Sequence, residues 1–197
     1  MTSTPDLVPA VRRLSGVLAG VRDSDLAAPT PCEDYTVGDL ADHVGGLTLA
    51  FTWAAEKKWP DGSRGGPSGD ASRLEPDWRA RFTERLDALA AAWRVPDAWQ
   101  GMTEAGGVPL PGGVAGLVAL NELVVHGWDL ARATGQPYDC GQAELDACLS
   151  FVEQAAQDGD GGSDGPFGPA REVPDAAAPL DRLVALTGRD PSWTPPR

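Results

Sequence analysis

Apolar side chains return every three or four positions along most of this chain. Leu7, Val11, Leu14, Leu18 and Val21 line one face of a helix predicted from about residue 6 to 22. Thr36-Val-Gly-Asp39 has the spacing of a capping box, with Asp in place of Glu, and places the start of a second helix at Thr36. Its apolar face runs through Val37, Leu40, Val44, Leu47, Phe51 and Ala54, and Pro60 ends it. The cleanest stripe, Trp78, Phe82, Leu86, Leu89 and Trp93, predicts a third helix over about 77–94. A fourth covers about 113–134, stops at Gly135 and has Pro137 beyond it. Shorter patterns predict helices over about 141–157 and 178–187. No alternating run of strand character and no internal repeat stands out, so the chain reads as all-α.

The connections divide into two kinds. Residues 61–70 and 158–165 are rich in Gly, Ser and Asp and read as flexible or solvated loops. The second of these lacks the ordered carboxylates of a calcium-binding loop. Residues 95–112 form a crossing connection that is long for a helical bundle, and such loops often line a site.

Composition narrows the partners. The 197 residues suit one domain and carry 16 Lys plus Arg against 29 Asp plus Glu, a net charge of -13. That balance argues against nucleic acid and against an anionic membrane surface and favours a soluble protein, while the apolar stripes are compatible with a monomer or a homodimer. Cys32, Cys140 and Cys148 are odd in number and lack C-x-x-C spacing, which suggests neither a disulfide framework nor a cysteine zinc site and is simplest in a reducing cytoplasm. Cys32 reads as a buried structural thiol. The N-terminus has no signal-like apolar core, and no run approaches the roughly 18 apolar residues of a membrane helix.

The candidate chemistry lies in the only two histidines. His43 falls on the apolar face of the second helix, at the edge of the core. His126 follows Glu122 by four residues on the fourth helix, so the two side chains share a face about 5 to 6 Å apart. Two imidazoles and one carboxylate are a ligand set for catalytic zinc, and also for non-haem iron, with coordination positions left for water or substrate. Asp39, four before His43, and Asp129, three after His126, could orient the imidazoles, although Asp39 is also the helix cap and Asp129 could pair with Arg132.

These segments have a familiar form. Thr30-Pro-Cys-Glu-Asp-Tyr-Thr-Val-Gly-Asp-Leu-Ala-Asp-His43-Val, Glu122-Leu-Val-Val-His126-Gly-Trp-Asp-Leu-Ala-Arg-Ala-Thr-Gly135 and the tail Leu183-Val-Ala-Leu-Thr-Gly-Arg-Asp-Pro-Ser-Trp193 resemble the actinobacterial metal-binding branch of the DinB-like superfamily. That branch is related to the metal-binding domain of mycothiol-dependent maleylpyruvate isomerase. The resemblance implies an up-down-up-down four-helix bundle over about residues 6–135, with a helical extension over about 136–197. It also implies a divalent ion, zinc before nickel or iron, on the residues matching His43, Glu122 and His126. The implied activity is a metal-dependent transferase or isomerase that activates a small thiol of the mycothiol type. Alternatives are a metal-dependent lyase, hydrolase or cyclase, and a non-catalytic metal- or ligand-binding protein. Tyr35 stands where relatives commonly carry Trp, and the short tail replaces the isomerase's additional domain. No catalytic residue beyond the ligand set is assigned.

Overall fold

The computed structural model describes residues 4–61, 65–157, 168–174 and 176–196, and the expected loop over 158–165 lies outside them. Among the described residues six helices carry the fold: α1 Val8–Gly20, α2 Val37–Glu56, α3 Trp78–Trp93, α4 Gly112–Thr134, α5 Gln142–Gln157 and α6 Pro179–Leu186. Their ends follow from local chemistry. Thr36 accepts from the Asp39 amide at 3.2 Å while the Asp39 carboxylate accepts from the Thr36 amide at 3.2 Å, so both halves of the capping box form. At the far end of α4, Gly135 takes a left-handed φ of 68°, and its amide closes the last turn.

Helices α1 and α2 each pack against both α3 and α4. The order round the bundle is therefore α1, α3, α2, α4, and the connections over 21–36 and 94–111 cross its ends. Leu14, Leu40, Leu86 and Leu120, one from each long helix, have no exposed surface and meet in the core. Burial of each such side chain is worth about 1.5–3 kcal/mol. Helix α5 packs on α4 and α6. It is also tied to α1 by a two-pronged ion pair from Arg13 to Glu144, at 2.9 and 3.0 Å.

Two expectations are corrected here. The crossing connection contains an antiparallel hairpin, β1 Met102–Ala105 and β2 Val108–Pro111, with Met102 opposite Pro111 and Ala105 opposite Val108. Its turn is Gly106-Gly107, with φ of 58° and 85°, the pair of positive values that a two-residue hairpin turn needs. Four-residue strands, one of them holding Pro109 and Pro111, are too short and too irregular to show alternation. The hairpin is docked by Thr103, whose hydroxyl donates to the Ala54 carbonyl at 2.6 Å. Secondly, α4 is long and apolar enough to cross a membrane by length and composition. It is instead the core helix: most of its residues are buried in the bundle, including His126 and Asp129.

Close packing predicts opposite effects of one substitution at two glycines. A Cβ at Gly116 would sit 2.6 Å from Trp99 Cη2 and 2.9 Å from Trp93 Cζ3, whereas at Gly16 it meets nothing within 4 Å. Gly116→Ala should destabilise by about 1–3 kcal/mol through overpacking. Gly16→Ala should stabilise by about 0.5–1 kcal/mol through helix propensity. Thermal melting checks the pair, with shifts of opposite sign expected.

Candidate metal centre

Local structure delivers the three predicted side chains to one point. The capping box fixes where α2 begins, which puts His43 two turns into the helix and facing α4. Glu122 and His126 lie one turn apart on α4. One donor atom from each of His43, Glu122 and His126 comes within 4.8 Å of the others. The two imidazole rings meet edge to face with centroids 5.1 Å apart, and Tyr35 lies tilted against His43 at 5.1 Å.

Both rings have their Nδ1 engaged away from that point. His43 Nδ1 is 2.7 Å from the Pro67 carbonyl, which can only accept, so the proton sits on Nδ1 and the Nε2 lone pair is left free. His126 Nδ1 is 3.0 Å from Asp129 Oδ2, and its Nε2 is 2.9 Å from Glu122 Oε2. Orientation of a ligand imidazole by a carbonyl or carboxylate on its other nitrogen is the usual support for a metal site.

Of the two orienting candidates, only Asp129 takes that role. The Asp39 carboxylate accepts from the Thr36 hydroxyl and amide and from the Ala71 amide, so it is fully used in capping α2 and holding the following segment. Asp129 is paired with Arg189, through Nη2 at 3.0 Å, rather than with Arg132. Arg132 instead donates to the Pro191 carbonyl at 2.6 Å and lies over the Trp128 ring.

The loop expected to be flexible contributes directly. Its described part, 65–70, folds back on α2: Gly69 passes against the Asp39 backbone, and the Asp70 amide donates to Asp42 at 3.1 Å. Pro67 packs against Gly46, where any Cβ would collide with its ring. No spacing rule could have paired the Pro67 carbonyl with His43. Arg189 was likewise beyond reach, since only its membership of the tail motif drew attention to it.

Cys32 also comes within 4.8 Å of donor atoms on His126 and Asp129. In that second cluster Asp129 is already engaged by Arg189 and His126, and burial pushes the Cys32 thiol up to about 11 in the metal-free protein. The reading of Cys32 as a structural thiol fits this setting.

The charges around His126 are balanced by a proton. Burial opposes charge on the ring, but the Glu122 carboxylate and the hydrogen bond to Asp129 outweigh it and lift His126 to about 9. Burial would raise Glu122, yet His126 beside it leaves the carboxyl below its ordinary value. His43 is depressed, by burial first and by His126 second, and is neutral near pH 7. A divalent ion fits this donor set: it would be held by His43, Glu122 and His126 in place of the proton on His126 Nε2.

A helical bundle with this inward-facing cluster falls in the all-α, DinB-like class. The sequence profile described as the mycothiol maleylpyruvate isomerase N-terminal domain matches residues 7–131, and the chain belongs to that family. Two curated Mycobacterium tuberculosis proteins are similar to it, the uncharacterized protein Rv0738 of strain ATCC 25618 / H37Rv and the uncharacterized protein MT0763 of strain CDC 1551 / Oshkosh. Each is 30% identical over 181 residues, covering 89% of this chain and 91% of its own length. Among solved structures, that of the mycothiol-dependent maleylpyruvate isomerase superimposes with a TM-score of 0.57 at 22% identity, covering 80% of this chain and 75% of that one. A histidine-to-alanine variant of the isomerase also gives 0.57, at 20% identity. These structural likenesses establish the shared fold.

The raised His126 sets the pH response of the metal-free protein. Its charged form is favoured by folding, so the stability it contributes is complete below about 6.5 and is lost as pH rises towards about 9. Metal affinity should move the other way, strengthening by up to about tenfold per pH unit over that window because the ion displaces one proton. Chemical denaturation of chelator-treated protein and zinc titration at several pH values check the opposed slopes.

Proposed function

We propose that this protein is a metal-dependent enzyme that uses a small thiol of the mycothiol type in a transfer to, or isomerisation of, an electrophilic small molecule. The observation that carries it is the convergence of His43, Glu122 and His126 with both Nδ1 atoms tied away from the shared point, in a chain of the mycothiol maleylpyruvate isomerase N-terminal domain family. Zinc suits a tetrahedral set of two imidazoles and a carboxylate with one position left open, and nickel or iron would use the same donors. A divalent ion bound there would lower the pKa of a thiol that coordinates it, making thiolate available near neutral pH.

The chain's own residues prepare for that chemistry. Pro67 and Asp129 set the two tautomers, and Tyr35 walls one side of His43. A small hollow of about 10 Å³ bounded by Leu14, Val44, Leu47, Phe51 and Leu123 reaches Glu122, so that flank of the site is largely apolar. The chain's own cysteines rest as neutral thiols in the metal-free protein: burial raises Cys32 and Cys140 to about 11 and Cys148 to about 12. Three free thiols fit the cytoplasmic setting that this reading requires.

Elemental analysis should find one divalent ion per chain in the native protein and none in His126→Ala. Thiol consumption with a panel of electrophiles should fall to the uncatalysed rate in that variant. Equal rates for the two proteins would refute a metal-dependent thiol reaction.

A further inference from the structure

The family match ends at residue 131, yet a side chain 58 positions later reaches the metal centre. Arg189 follows α6. Its Nη2 lies 3.0 Å from Asp129 Oδ2 and its Nε lies 3.4 Å from Asp129 Oδ1, while Nη1 donates to the Thr187 carbonyl at 2.8 Å. Asp129 Oδ2 is the same oxygen that faces His126 Nδ1 at 3.0 Å. The Asp129 side chain has no exposed surface and that of Arg189 is 13% exposed, so the pair is shielded from solvent.

We infer that Arg189 is a positioning residue of the metal centre, acting through Asp129 on the His126 imidazole; the inference rests on the metal reading above. Asp129 cannot be satisfied by His126 alone. A carboxylate with two oxygens and about four lone-pair sites, cut off from water, needs further donors. Without them it turns towards another donor or draws in water, and the imidazole turns with it. The planar fork of Arg189 spans both oxygens and fixes the carboxylate plane, which fixes the direction of the His126 Nε2 lone pair.

The tail is built to hold that fork still. The Arg189 amide donates to the Val184 carbonyl at 2.9 Å, and Gly188 makes the preceding bend with a φ of 88°, against Gly168. Two residues beyond, Pro191 accepts from Arg132 of α4 at 2.6 Å. The C-terminal segment is thus held by α6 and Gly168 on one side of the guanidinium and by α4 on the other. On this account the bundle supplies the ligands and the tail sets the angle of one of them.

The test compares native protein with Arg189→Ala by zinc titration against a chromophoric chelator and by the visible bands of bound cobalt. Loss of an orienting partner should weaken zinc binding by about 10-fold to 100-fold and shift the cobalt bands. Gly116→Ala serves as a control for lost stability alone: it should melt lower and keep native affinity and bands. If Arg189→Ala fails to fold, Arg189→Lys carries the test. It keeps the buried charge but cannot span both Asp129 oxygens, so a smaller fall and a band shift are expected. Native protein that binds both ions, with an arginine variant that binds them equally and shows the same bands, would overturn the role of Arg189 and leave the metal reading standing. Native protein that binds neither ion would overturn both.

Discussion

A single carboxylate buried without exposed surface, that of Asp129, constrains the site more than any other group. It sits in α4, a long apolar helix whose residues are mostly buried, where an unpaired charge would cost several kcal/mol. Two donors from opposite directions meet it, His126 from within α4 and Arg189 from the chain's tail. Satisfying this charge orients an imidazole and also recruits the C-terminal segment to the bundle. The hold on the segment that follows α6 and the orientation of the His126 ring therefore share one buried charge.

His43 is handled by a different device. Its Nδ1 meets a neutral carbonyl, supplied by a loop that is itself pinned by Asp39 and Asp42 of the same helix. A neutral acceptor fixes the tautomer without adding charge, and burial then keeps the ring uncharged. The two imidazoles thus enter the site in different states in the metal-free protein: one is neutral with a free lone pair, and the other is protonated between two carboxylates. Only the second carries a proton on the nitrogen that faces the shared point, so an ion taken up there would displace one proton, from His126, with His43 already neutral.

The helices were legible in the sequence because each carries a periodic apolar face and a chemical stop. Thr36 and Asp39 at one end and Gly135 at another mark boundaries that the structure reproduces within a residue or two. Residues four apart on a helix need no tertiary information to be neighbours, which is why Glu122 and His126 could be paired in advance. His43 was placed beside them partly by its phase on α2 and partly by scarcity. The hairpin was hidden because four-residue strands leave no period to detect. The Pro67 carbonyl and Arg189 were hidden for a deeper reason: their contacts are made across 24 and 60 residues of chain, by a backbone atom in one case and a loop side chain in the other. Neither leaves a pattern in a single sequence.

This division of labour bears on how such a bundle can change its chemistry. The convergence of His43, Glu122 and His126 depends on helix phase, which the apolar stripes hold in place. Of the orienting groups Asp129 belongs to α4, whereas the Pro67 carbonyl and Arg189 come from segments outside the long helices, residues 65–70 and 187–193, whose attachment rests on a few hydrogen bonds and close backbone contacts at Gly69 and Gly188. A change in either segment would turn an imidazole without removing His43, Glu122 or His126, and would thereby redirect the donors offered to any ion held there. Reactivity at a metal depends on where the reacting atom is held as well as on the ion, so these two short segments can retune the site while the bundle stays the same.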